Sequence, residues 1–225
     1  QNLMKIKYLH LLFLLLLGST LWMSNNFGFA TMNPAIGGAT FAPNEVSCQT
    51  CHTAGSASTI QTSTKIEVFD TVTNKTVTSY EPGRVYKVRV TISKVSGTPA
   101  AYGFQMVSLL DNGDVDVKGW IYPSSGVKIV ELTSGLKRMY VEQTKKNTNN
   151  FFETKWQAPK ANNGSVTFYA CGNGVNGNSL NTGDGASITN LKLTEGKVAN
   201  EDINYINQFN IFPTIINDVI NYNID

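Results

Sequence analysis

The chain has 225 residues, of which 41% are hydrophobic and 15% are charged, and its formal net charge is +2. Nucleic-acid-binding proteins use basic patches that release counterions, and peripheral membrane proteins use polybasic segments. The near-neutral composition argues against both classes. We therefore expect no nucleic-acid partner, and the length suits one domain with flanking segments.

The N-terminal residues have the pattern of a secretory signal peptide. Two lysines are followed by an apolar run over residues 11–23, and Gly28 and Ala30 are the small residues expected at a cleavage site. The alternative, a transmembrane anchor, requires a longer apolar run. We expect residues 1–30 to be removed, with residues 1–3 as upstream read-through, and the mature chain to be secreted or displayed at the cell surface without a transmembrane helix.

Removal of this segment changes the charge and the histidine count. Losing Lys5 and Lys7 lowers the 18 basic residues to 16, which equals the 16 acidic residues. His10 is lost as well, so His52 is the only histidine of the mature chain. Any histidine chemistry must therefore use His52.

Residues 31–63 have no strong periodicity and contain the stretch CQTCH. Cys48, Cys51 and His52 have the spacing of a c-type haem site, in which two thiols bond the vinyl groups and the next residue binds iron. Export agrees with this interpretation, because haem c is attached outside the cytoplasmic membrane. We expect a loop-rich extension that carries one covalent haem c, with His52 as the proximal iron ligand.

Two other chemistries use the same side chains. Structural zinc takes four ligands, and this motif offers three, with Cys171 as a candidate fourth. Exported thiols also form disulfides. Cys48 could pair with Cys51, or Cys171 could bridge to one of them and pin the extension onto the domain. In the haem interpretation, which we prefer, Cys171 is a small buried residue.

Residues 64–195 alternate between apolar and polar side chains, as half-buried strands do. In residues 84–93, RVYKVRVTIS, the tyrosine, valines and isoleucine face one side. Turn clusters rich in glycine and asparagine separate such runs. Seven or eight short strands at this spacing predict an immunoglobulin-like antiparallel β-sandwich. The other alternating runs cover residues 65–72, 101–110, 127–133, 138–144, 151–159, 165–172 and 187–194.

The strands contain one methionine that could serve as a sixth iron ligand, and the sequence lacks the common catalytic motifs. Met106 carries a thioether that could bind haem iron, although a methionine beside an aromatic residue in a strand usually belongs to the core. The sequence has no GxSxG nucleophile motif and no phosphate-binding loop. We therefore expect the chain not to be an enzyme.

Five motifs follow one another across residues 36–195, namely GGATFAPNEVSCQTCH, YEPGRVYKVRV, YGFQMVSLLDNGD, KWQAP and GSVTFYACGNGVNGN. Their order resembles the Reeler domain. More narrowly, it resembles a bacterial form known as the choice-of-anchor domain of exported proteins, which carries CxxCH just before the sandwich. The resemblance implies an immunoglobulin-like sandwich and no defined reaction.

The same resemblance bears on the distal side of the expected haem. Relatives tend to carry a histidine where this chain has Gln143, which continues the apolar face of Met139 and Val141. Either Gln143 replaces a distal ligand, or its amide makes a hydrogen bond at the strand end. Met106 and Gln143 are therefore the two candidates for the distal position.

The tail, residues 196–225, contains an apolar run, a proline, an acidic residue and a second apolar run, at Phe209, Ile211, Phe212, Pro213, Asp218, Val219 and Ile220. This pattern resembles the start of a type A C-terminal sorting signal of the type IX secretion system. The tail departs from it at Thr214 and Ile215, where the family usually has a second proline. The resemblance implies the secretion machinery as a partner, and the alternative is an ordinary terminal hairpin.

Together these features predict an exported monohaem c-type protein that transfers electrons to an unknown redox partner or senses a haem ligand. The alternative is a non-catalytic surface or adhesion module. In that case the cysteines form structural disulfides, and the sandwich loops bind protein or glycan.

Overall fold

The computed structural model describes residues 28–32, 37–52, 59–196, 214–216 and 219–221. A short helix, α1, spans Phe29–Met32, and a 3-10 turn spans Cys48–Thr50. The remaining elements are strands. They are β1 (Gln61–Asp70), β2 (Ser79–Tyr80), β3 (Val85–Ser96), β4 (Ala101–Leu110), β5 (Val115–Asp116), β6 (Trp120–Ile121), β7 (Val127–Glu131), β8 (Met139–Gln143), β9 (Phe151–Gln157), β10 (Val166–Val175), β11 (Gly185–Glu195), β12 (Thr214–Ile216) and β13 (Val219–Asn221).

Strands β1 to β11 form a sandwich of two sheets. The first sheet has the strand order β1-β3-β9-β6. The second has the order β2-β11-β10-β4-β8-β7, and β5 pairs with β4. The strand pairs are antiparallel apart from the parallel pair of β2 with β11. The predicted all-β antiparallel sandwich is confirmed.

The main core lies between the two sheets and contains the apolar faces predicted from the alternation. Trp156 is fully buried in it. Its ring centroid lies 4.8 Å from that of Phe168 and 5.9 Å from that of Tyr80, both in edge-on geometry. The indole N–H donates to the hydroxyl of Ser108 at 3.1 Å. The largest aromatic side chain is therefore both packed and hydrogen-bonded, as a buried indole requires.

The outer face of the second sheet carries a separate apolar cluster. Met106 and Val141 point into the inter-sheet core, while their chain neighbours Val107 and Tyr140 point the other way. This outer cluster is closed by Ala42 of the N-terminal extension and by the fully buried Ala30, which directly precedes the extension. The extension therefore forms a third layer on the sandwich.

The turn after β1 is organised by the carboxylate of Asp70. One oxygen accepts the backbone N–H groups of Val72 at 2.9 Å and Thr73 at 2.7 Å, and the other pairs with Arg84 at 2.5 Å. The hydrogen bonds from Thr73 lower the pKa of Asp70 below its ordinary value of 3.8, although burial opposes them. The charged form is thus favoured by folding.

We expect Asp70→Asn to lower the urea midpoint at pH 7, and we expect this deficit to shrink below about pH 4. Because folding lowers the pKa of Asp70, its contribution is present above the ordinary pKa and is lost as the pH falls through the folded value. Urea titrations at neutral and acidic pH measure both effects. Glu67→Gln serves as a surface control, and a deficit for Asp70→Asn that stays constant with pH would contradict this explanation.

Several predicted segments lie outside the described residues. These include most of the signal peptide and part of the sorting segment, namely Phe209, Ile211, Phe212, Pro213 and Asp218. In the described part of the tail, β12 and β13 form an antiparallel hairpin in which Ile215 lies opposite Ile220. Among the residues that the structure describes, no helix has the length and apolar character needed to cross a membrane.

Candidate functional site

The CQTCH stretch folds as a 3-10 turn against the second sheet. The turn is tied at both ends by backbone hydrogen bonds. The N–H of Cys48 donates to the carbonyl of Ala39 at 3.1 Å, and the N–H of His52 donates to the carbonyl of Cys48 at 2.8 Å. The side chain of Gln49 donates to the carbonyl of Ala186 at 3.1 Å. The cysteines are therefore presented to the strands β10 and β11.

A disulfide joins Cys48 in this turn to Cys171 in β10, with a Cα–Cα distance of 6.2 Å. Cys171 lies on the outer face of the second sheet and is 1% exposed. Its neighbour Ala170 belongs to the inter-sheet core, and successive residues of a strand point to opposite faces. Cys171 is buried as predicted, but our preference for a structural role without a disulfide is wrong, because Cys171 forms the bridge that attaches the extension to the domain.

The haem prediction is therefore wrong. A c-type attachment needs a thiol on each cysteine for its two thioether bonds. The sulfur of Cys48 is already bonded to Cys171, which leaves Cys51 as the free cysteine. The interpretation of the chain as a c-type cytochrome with bound haem and iron is therefore wrong as well.

Met106, one of the two candidates for the distal position, lies on the wrong side of the sheet. It is 1% exposed and belongs to the inter-sheet core. Its neighbour Gln105 pairs with Cys171, whereas Met106 pairs with Ala170. Since successive residues of a strand point to opposite faces, the sheet itself separates the thioether of Met106 from the disulfide.

Gln143, the other candidate, has a structural partner. Its side-chain oxygen accepts the backbone N–H of Phe104 at 2.7 Å. This contact lies at the end of β8. There the amide oxygen of Gln143 accepts a backbone N–H of β4 that has no partner in the backbone of β8. The hydrogen-bonding alternative that the sequence left open for Gln143 is the one that the structure shows.

His52 forms a pair with a buried carboxylate. Its Nδ1 lies 2.8 Å from Oδ2 of Asp184, whose side chain is 1% exposed, while the imidazole is 31% exposed. The other oxygen of Asp184 accepts the backbone N–H of Asn176 at 2.9 Å. Within the described ranges no group of three or more His, Cys, Asp and Glu side chains gathers to hold a metal, so the zinc alternative has no ligand set there.

A buried ion pair fixes the extension further along. The guanidinium of Arg138 lies 2.6 Å from Oε1 of Glu45, and their side chains are 5% and 0% exposed. The hydroxyl of Tyr140 donates to the same oxygen at 2.8 Å, and that of Thr40 donates to Oε2 at 2.6 Å. Burial, followed by the charge of Glu45, raises the pKa of Tyr140, so the phenol stays a donor.

A second buried carboxylate, Glu142, holds the beginning of the extension. It is fully buried and accepts the backbone N–H of Ala30 at 2.9 Å and the hydroxyl of Thr31 at 2.6 Å. The side-chain amide of Gln105 donates to it at 3.1 Å, and the ammonium of Lys128 lies at 3.4 Å. The disulfide, Glu45 and Glu142 thus each attach the extension to the sandwich.

The disulfide and the buried contacts of Glu45 and Glu142 hold the extension against the second sheet. The sequence predicted only part of this attachment. The bridge from Cys171 to the motif was one of the disulfide alternatives that the sequence left open. No local signal singled out Glu45, Arg138 or Glu142, because each reads as an ordinary surface charge until its partner is known. These residues were missed.

Comparison with solved structures gives low similarity throughout. The human F-spondin reeler domain (fragment 1) has a TM-score of 0.41 and 17% identity, covering 63% of this chain and 96% of that one. The Reelin-N domain of F-spondin has a TM-score of 0.38 and 17% identity, covering 64% and 92%. A cohesin module of a Clostridium perfringens family 33 glycoside hydrolase has a TM-score of 0.36 and 10% identity, covering 62% and 99%. The search of curated proteins found no match.

The comparison with family models is more informative. The model described as the Reeler domain matches residues 46–172, which is more than half of the chain. The Reeler domain is a non-catalytic extracellular module, and the prediction that this chain is not an enzyme is confirmed on that ground. The match starts two residues before Cys48 and ends one residue after Cys171, so both partners of the disulfide lie inside it. The chain belongs to the Reeler domain family.

Proposed function

We propose that the protein is an exported, non-catalytic surface or adhesion module. The observation that carries this proposal is the disulfide between Cys48 and Cys171, which uses the motif structurally. Disulfides persist in oxidising compartments outside the cytoplasm and are rare inside it. Membership of a family of extracellular modules points the same way. The module acts by presenting a rigid sandwich rather than by carrying a cofactor.

The clamped extension supports this proposal because, among the described residues, it covers one face of the sandwich and leaves Phe151 of the other face exposed. The outer face of the second sheet is covered by residues of the extension such as Ala42, as far as the extension is described. The outer face of the first sheet carries Arg89 stacked over the rings of Phe69 and Phe151, with Phe151 42% exposed. An exposed aromatic residue beside a cation suits recognition of another molecule.

We place the signal-peptide boundary after Ala30, with residues 31–63 as the extension, 64–195 as the sandwich and 196–225 as the tail. The nitrogen of Thr31 lies 3.2 Å from Oε1 of Glu142. A cut after Ala30 converts this amide into an ammonium group facing a buried carboxylate. The cut removes the hydrogen bond that the N–H of Ala30 donates to Oε2, and it gives the bond from Thr31 to Oε1 a charged donor.

We also propose that the tail directs the protein through type IX secretion, as a partial type A signal. The tail combines the residue pattern already described with a short antiparallel hairpin between β12 and β13. The narrower resemblance to choice-of-anchor domains is consistent with such a segment, since those proteins are exported. The partner of the tail would then be the secretion machinery.

Expression of the full chain in a bacterium with type IX secretion tests the function and the boundaries together. We expect the protein outside the cells or accessible to protease on intact cells, with Thr31 at its N-terminus by terminal sequencing. The purified protein should be colourless and lighter than the reduced chain by two hydrogens. A variant that ends at Gly196 is the matched control and should remain in the periplasm.

Other outcomes separate the parts of this proposal. Retention of the full chain in the cytoplasm, with all cysteines reduced, would overturn the assignment as an exported module. Equal surface delivery of the full chain and the truncated variant would overturn the role of the tail alone. A different N-terminal residue would move the boundary without affecting either.

A further inference from the structure

Three cysteines lie at or next to the contact between the extension and β10. Cys48 and Cys171 form the disulfide, and Cys51 is free and exposed. Cys51 directly follows the 3-10 turn with helical backbone angles, φ −105° and ψ −37°, and its N–H bonds the carbonyl of Cys48 at 3.2 Å. Because residues i and i+3 are eclipsed in a 3-10 turn, the side chains of Cys48 and Cys51 project from the same side.

We propose that Cys48, Cys51 and Cys171 form a thiol–disulfide exchange site, in which Cys48 changes its partner from Cys171 to Cys51. The thiol of Cys51 loses its proton to solvent, and the thiolate attacks Sγ of Cys48. The new Cys48–Cys51 bond forms as the Cys48–Cys171 bond breaks, and Cys171 leaves as a thiolate that takes up a proton. The number of disulfides and thiols is unchanged, so the step needs no oxidant or reductant.

The position of the extension decides which disulfide is stable, Cys48–Cys171 or Cys48–Cys51. With the Arg138–Glu45 pair formed, Cys48 is held beside Cys171, and Cys171 is 1% exposed beneath the extension. Exchange in this state would leave a thiol buried at that contact. When the rest of the extension lifts, the disulfide still joins Cys48 to Cys171. The short loop between Cys48 and Cys51 then closes at a lower entropic cost than the long one. Exchange therefore follows local opening of the extension.

The reverse reaction gives the site a role in maturation. In the newly exported chain the short Cys48–Cys51 loop closes first, since loop closure costs more entropy as the loop lengthens. Once the sandwich has formed, the thiol of Cys171 attacks Cys48 and Cys51 is released. The free exposed thiol in the folded protein is then the expected end product of an internal rearrangement.

Alkylation with N-ethylmaleimide, followed by tryptic digestion without reduction, tests this inference. Cys48 and Cys51 share one tryptic peptide, which ends at Lys65, and Cys171 lies on another, which ends at Lys192. In the native pairing the two peptides are joined and Cys51 carries the label. After exchange they are separate and Cys171 carries it. We expect the label to move to Cys171 in urea well below the unfolding midpoint, while Trp156 fluorescence is still native.

Two variants make the test decisive. In Cys51→Ser the peptides should stay joined and unlabelled under the same conditions, because the attacking thiol is missing. In Cys171→Ser, incubated with oxidised and reduced glutathione, an internal Cys48–Cys51 disulfide with no free thiol should form. The inference is overturned if the wild-type label stays on Cys51 at every urea concentration below the midpoint. It is equally overturned if Cys171→Ser keeps two free thiols or forms intermolecular dimers.

Discussion

The variant Cys171→Ser is expected to unfold with a free energy about 2–5 kcal/mol lower than that of the wild type. The lost bond links positions 123 residues apart, so its removal frees the unfolded chain over a long loop. The variant also loses one of the attachments of the extension to β10. Urea titration followed by tryptophan fluorescence measures the difference, since Trp156 is fully buried in the folded state.

Cys51→Ser is the matched control for this variant. Cys51 is exposed and takes no part in the native disulfide, so its replacement should change the free energy of unfolding by no more than about 0.5 kcal/mol. Treating the wild type with a strong reductant should reproduce the midpoint of Cys171→Ser. Equal losses in the two serine variants would refute the structural role of the Cys48–Cys171 bridge.

The variant Glu45→Gln is expected to lose about 3–5 kcal/mol, because it leaves the guanidinium of Arg138 buried without its counter-charge. The carboxylate also accepts hydrogen bonds from Tyr140 and Thr40. A glutamine has a single acceptor oxygen and cannot satisfy donors at both positions. Urea titration measures the loss, and hydrogen exchange should show the amides of residues 39–48 losing protection first.

A solvent-exposed ion pair supplies the comparison for Glu45. Lys118 and Glu131 lie 2.7 Å apart, and each side chain is 48% exposed. Since water screens such pairs, Glu131→Gln should cost less than about 1 kcal/mol. If Glu45→Gln costs no more than Glu131→Gln, the buried pair does not hold the extension, and the clamp reduces to the disulfide and Glu142.

The sequence was most informative where structure depends on near neighbours. In β3 the alternation of Tyr86, Val88, Val90 and Ile92 with polar residues predicted both the strand and its buried face, which the burial confirms. This worked because a strand turns successive side chains to opposite sides, so the pattern can be read from a few adjacent letters.

The sequence led to a wrong prediction where the same residues can form a haem site, a metal site or a disulfide. Cys48, Cys51 and His52 have the spacing of a haem site, and nothing local distinguishes that use from a 3-10 turn with one bonded and one free thiol. The deciding partners, Cys171 and Asp184, are more than a hundred residues away. Spacing therefore identified the segment that matters but assigned it the wrong chemistry.

The sequence by itself determined the sandwich, the faces of its strands and the cysteine-bearing segment in front of it. These follow from local alternation, turn residues and the covalent chain. Only the tertiary structure decided that Cys48 bonds Cys171, that Glu45 pairs with Arg138, and that Glu142 receives the start of the extension. Each of these contacts joins residues far apart in the chain, and a buried charge or thiol reveals its role only when the fold brings its partner within bonding distance.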